Sequence, residues 1–180
     1  DQPCTFYSTG QIDRMGRPLT GNALLGTIAT PEQAAELKEA YNAASPEHWG
    51  RFARQIGEGL AFYDGLDGQC GNQLLADEAV GPERYRTLAA MLADDRLWLN
   101  ADAERCAHFM AVEIASLPDH GDYADDCGGR PPDQDSIDVY RSLLVLGTSS
   151  GIDDGVDQDD APLARQTFPF LAEPSAQWRP

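Results

Sequence analysis

The chain has 180 residues and a formal net charge of −17, set by 30 acidic and 13 basic side chains, the latter being 12 Arg and the single Lys38. A field of that sign repels phosphate backbones and anionic lipid, so nucleic acid is excluded as a partner, and a cation or a basic protein is the favoured one. The length and the 42% hydrophobic content suit one domain, residues 1–180, and no apolar run approaches the roughly 18 residues of a membrane span, so the chain is not membrane-spanning.

Residues 1–29 are rich in Gly, Thr and Asn and read as an irregular N-terminal segment with a turn at Gly16-Arg-Pro18. Beginning at Asp1 without Met fits a processed product. The first helix start is clear: Thr30 at the N-cap, Pro31 at the first helical position and Gln33 three residues after the cap. Ser45-Pro46-Glu47 opens a second helix, over 46–63, in which Trp49, Phe52, Ile56, Leu60 and Tyr63 recur at three- and four-residue spacings as a core-facing stripe. Pro82 starts a third, with Tyr85, Leu88 and Leu92 on one face and Met91 beside it. Leu97-Trp98-Leu99 reads as either a short strand or a buried turn, and residues 102–116 as a fourth helix. A loop over 117–132 precedes a fifth helix, capped by Asp133 or Asp135 and running to about Leu146. It is apolar almost all round and therefore expected at the centre. Residues 147–180 form an acidic loop and a C-terminal tail, whose Phe168-Pro-Phe-Leu171 is expected to pack on the body. The predicted fold is mainly α: one compact domain of about five helices, with long ordered loops, few short strands and two disulfides.

The disulfides follow from Cys4, Cys70, Cys106 and Cys127. Their number is even and no C-x-x-C pair occurs, which argues against zinc-ribbon, thioredoxin and haem-attachment motifs and for an oxidising compartment. Locality pairs Cys106 with Cys127 and leaves Cys4 for Cys70.

Several motifs occur in a fixed order: Asp13-Arg-Met-Gly-Arg-Pro18, Asn22-Ala-Leu-Leu25, Cys70-Gly-Asn-Gln73, Asp94-Asp-Arg-Leu-Trp-Leu-Asn100 and Asp126-Cys-Gly-Gly-Arg130. They continue with Asp135-Ser-Ile-Asp138, Asp154-Gly-Val-Asp157, Asp160-Ala-Pro162 and Phe168-Pro-Phe-Leu-Ala172. In this order the chain resembles the short members of the exported bacterial domain-of-unknown-function family 4331, which correspond to the C-terminal part of its longer members. The resemblance implies export to the periplasm or exterior and implies no activity.

Candidate chemistry centres on Asp153-Asp-Gly-Val-Asp-Gln-Asp-Asp160. Calcium takes six to eight oxygen ligands, and Asp153, Asp154, Asp157, Asp159 and Asp160 could supply them around the turn at Gly155, although not in an EF-hand register. The alternative is a solvated turn in which the carboxylates cap backbone amides. His120-Gly-Asp-Tyr-Ala-Asp-Asp126 offers a histidine and three aspartates to zinc or manganese, against a plain surface loop. Cys106-Ala-His-Phe-Met110 carries soft ligands, but helical geometry sets His108 opposite Cys106 and Met110. Ser149-Ser150-Gly151 lacks the setting of a nucleophile elbow, and Asp94-Asp95 follow Leu92-Ala93 as a helix terminator would. Nucleotide-binding glycine loops are absent. The expected function is an exported, non-catalytic binding or accessory protein, with calcium as its one candidate cofactor. The alternatives are a secreted hydrolase using carboxylates and His108 or His120, and a structural component of a cell-envelope assembly.

Overall fold

The computed structural model describes residues 13–130, 134–156 and 167–168. The chain is mainly helical, and among these residues strand pairing is limited to two isolated bridges, Leu99 with Gly128 and Arg105 with Asp126. Helix α1 (Pro31–Ala43) starts on the predicted capping box: the Thr30 hydroxyl accepts from the Gln33 amide, and the Gln33 side chain accepts from the Thr30 amide. It ends where Ala44 turns extended, just ahead of Ser45-Pro46. The 46–63 segment is one rod of two pitches. Pro46–Phe52 winds as a 3-10 helix and continues into α2 (Ala53–Asp64), and Trp49, Phe52, Ile56 and Leu60 of the expected stripe are all buried, with Tyr63 half-buried.

Helix α3 (Arg86–Ala93) repeats this pattern, entered through a 3-10 turn over Gly81–Tyr85, and it packs Leu88, Ala89 and Leu92 against α2. The segment before α1 contributes to the core as well, because a π-helical turn, Thr20–Leu24, buries Leu24 and then Leu25. That turn approaches α2 so closely that a Cβ on Gly59 would lie 2.6 Å from the Leu24 carbonyl oxygen, so only glycine fits there.

Three of the predicted elements differ. The fourth helix over 102–116 reduces to one turn, α4 (Ala111–Ala115). Residues ahead of it are drawn into contact with 126–128 instead: the Cys127 amide donates to the Arg105 carbonyl, the Asp126 carboxylate accepts from the Ala107 amide, and Met110 enters α4 at a left-handed φ of 61°. Leu97, Trp98 and Leu99 are neither buried nor a strand beyond the single bridge at Leu99. Helix α5 (Ser136–Leu146), capped by Asp135, buries Tyr140, Ser142, Leu143 and Leu144, but Arg141 is exposed and its other residues are half-buried, so it is not enclosed all round. The central helix is α2, which contacts α3, α5, both 3-10 turns that adjoin α2 and α3, and the π-turn. Helix α5 stops at Gly147, whose φ of +67° and contact with the Asn72 backbone leave no room for a side chain.

Cys106 and Cys127 are disulfide-bonded, with Cα atoms 4.8 Å apart. This is one bridge rather than two among the described residues. Cys70 is exposed and unbridged, and Cys4 lies outside them. Phe168 is 82% exposed, and Pro169, Phe170 and Leu171, the rest of the segment expected to pack on the body, lie outside the described residues.

Candidate functional site

Of the acidic loop expected to hold calcium, Asp153 and Asp154 are described, and their carboxylates take different partners. Asp157, Asp159 and Asp160 lie outside the described residues. Asp153 caps its own turn, with Oδ1 accepting from the Gly155 amide at 2.6 Å. Asp154 turns the other way, onto the first turn of α5, where it meets Asp135 and Asp138. One carboxylate oxygen from each of the three lies within 4.8 Å of the others. The folding of the loop explains the convergence. Asp135 caps α5 by accepting from the Ile137 and Asp138 amides at 3.0 and 2.9 Å. Its partner three residues on, Asp138, accepts from the Asp154 amide at 3.1 Å, and the Ser142 hydroxyl accepts from the Ile152 amide at 2.9 Å, so the returning loop is laid along the helix.

Each carboxylate thus spends one oxygen on backbone amides. The second oxygen of Asp154 is ion-paired to Arg141 at 2.9 Å. Asp138 is held above the usual carboxylate range, first by partial desolvation and then by the charges of Asp135, Asp154 and Asp153, which outweigh its bond from the Asp154 amide. Three like charges around one point are relieved by a cation. A divalent ion there would displace Arg141 and gather oxygen ligands of the type calcium prefers. The sequence signal for Asp135 and Asp138 was their spacing of three at a helix start, which set them on one face. That Asp154 joins them is tertiary and had no local signal.

The second acidic cluster separates into unrelated positions. Asp126 is fully buried, and its carboxylate accepts from the amides of Ala107, His108 and Gly128 and from the His108 ring, whose Nδ1 is 2.9 Å away. Arg105 stands 3.6 Å off. Burial pushes the Asp126 carboxyl up, but the bonds from Gly128, His108 and Ala107 outweigh it and the group is held below the usual range. His120 turns away and bonds the Pro118 carbonyl. The soft-ligand trio does not converge either: Cys106 is bonded to Cys127, Met110 is in the core, and His108 sits on Asp126. The reason differs from the one expected, since the segment is not helical. Ser149 and Ser150 lie in an exposed turn.

Asp94 and Asp95 serve the fold. Asp94 ends α3 and takes the Arg96 guanidinium through both oxygens, and Asp95 accepts from the Arg17 amide. Arg17 itself is buried, paired to Glu113 and bonded to the Asp94 carbonyl at 3.1 Å. No family model, no curated protein and no solved structure matches the chain.

Proposed function

We propose that the chain is an exported, non-catalytic binding or accessory domain whose acidic end takes up a structural divalent cation, calcium before magnesium, on Asp135, Asp138 and Asp154. The observation that carries this reading is the convergence of three carboxylates from two chain segments, each already fixed by a backbone bond. The ion would tie the 152–156 loop to the start of α5. Export is supported by the Cys106–Cys127 bridge and by the resemblance of the motif order to exported proteins. Calcium at a hundredfold excess over its Kd stabilises the folded state by about 2.7 kcal/mol. Millimolar calcium therefore raises Tm and a chelator lowers it, and the pair Asp138→Asn with Asp154→Asn removes the response. A wild-type melting curve indifferent to calcium and chelator alike would overturn the cation site.

The rival, a hydrolase dependent on carboxylates and histidine, is favoured by one observation. Asp126 fixes Nδ1 of His108, which is the support a histidine base receives in acyl-transfer sites. An esterase and amidase activity that vanishes in His108→Ala, with the fold intact, would establish it in place of the accessory role.

A further inference from the structure

Beyond the cation site, the π-turn and α5 enclose a groove of about 420 Å3, within the range of small-molecule sites. Its apolar lining is Leu19 and Ala23 from around the π-turn, Leu144 and Val145 of α5, Ile152 of the loop that follows and Tyr63 of α2. Its polar lining is donor-rich. Arg141 borders the groove, and among the described residues only one of its guanidinium nitrogens is bonded, to Asp154. Asn22 gives its side-chain oxygen to Lys38 Nζ at 2.6 Å, which leaves the amide NH2 to donate. Among the described residues, no carboxylate lines it. In a chain of charge −17, the groove thus has Arg141 at the edge of an apolar cleft.

We propose that this groove binds a short aliphatic carboxylate, with its headgroup on Arg141 and Asn22 and its chain along Leu144, Val145 and Ile152. A guanidinium presents paired donors that match a carboxylate, and the apolar walls reward burial of the alkyl body. Arg141 would be shared between this ligand and Asp154, so freeing it from Asp154 strengthens the groove. The proposal does not rest on the cation site, and its test is run without metal.

Sodium octanoate, octan-1-ol and octylamine are titrated calorimetrically into the full chain in chelator. Octanoate is expected to bind at one site, with the alcohol and the amine at least about tenfold weaker, a difference of roughly 1.4 kcal/mol. Arg141→Met brings octanoate down to the level of the alcohol and leaves the alcohol unchanged. Asp154→Asn, which releases Arg141, tightens octanoate severalfold, and Val145→Trp, which fills the cleft, removes binding. Absence of octanoate binding overturns the proposal. So does octanol binding as tightly as octanoate, or octanoate affinity unmoved by both Arg141→Met and Asp154→Asn.

Discussion

Replacing Asp126 by alanine tests the most heavily bonded side chain among the described residues. Its carboxylate is wholly buried and takes three backbone amides, the His108 ring and the nearby charge of Arg105. Removing it orphans donors on both 105–108 and 126–128, the two segments joined by the disulfide. Each unsatisfied buried donor costs about 1–3 kcal/mol, and breaking a buried charge pair about 3–5 in all. Arg105 is 59% exposed, so its share is screened and small. The expected loss at pH 7 is therefore about 3–5 kcal/mol, read as a lower urea midpoint at unchanged slope. The pH dependence follows from the depressed carboxyl. Between its folded value and the ordinary 3.8 the unfolded state binds the extra proton, so this stabilisation is present above about pH 4 and is lost as pH falls through the folded value. The gap between wild type and variant should narrow in acid. A loss below about 1 kcal/mol at pH 7, or a gap that widens on acidification, would refute the clamp.

Three other substitutions or treatments probe the frame. Phe52→Ala deletes a buried ring packed edge-on to Tyr41 at 5.3 Å and should cost about 3–5 kcal/mol in a denaturant titration. Gly59→Ala drives a methyl into the Leu24 backbone and should cost about 1–3 kcal/mol, seen as a lower Tm. A neutral result there would mean that the π-turn does not rest on α2. Reducing the Cys106–Cys127 bridge, which spans 21 residues, should remove about 3 kcal/mol by the chain-entropy argument, measured by unfolding with and without reductant.

What was legible in the sequence was what local rules decide. Thr30-Pro-Glu-Gln33 states a capping box, and Trp49, Phe52, Ile56 and Leu60 state a buried face, because both are properties of a single helix. Residues 102–116 misled for the same reason. Their composition suits a helix, but the amides of Ala107 and His108 found a better acceptor in Asp126, nearly twenty positions away, and no periodicity announces such a partner. The ordered motifs had the same tertiary purpose. Arg14 of Asp13-Arg-Met-Gly-Arg-Pro18 bonds the carbonyls of Tyr41 and Asn42 at the end of α1, and Arg17 pairs with Glu113. Asp94 and Asp95 hold Arg96 and the Arg17 amide, and Asp126 of Asp126-Cys-Gly-Gly-Arg130 clamps the disulfide loop. These charged residues stand in loops, where their density suggested chemistry, yet most are spent on backbone groups that a helical domain with long connections must satisfy. The triad of Asp135, Asp138 and Asp154 differs, because besides meeting backbone amides its three carboxylates bring one oxygen each within 4.8 Å of the others, and among the described residues Arg141 is the guanidinium paired with them. That surplus, rather than the count of aspartates in the loop, is the ground for placing a cation there.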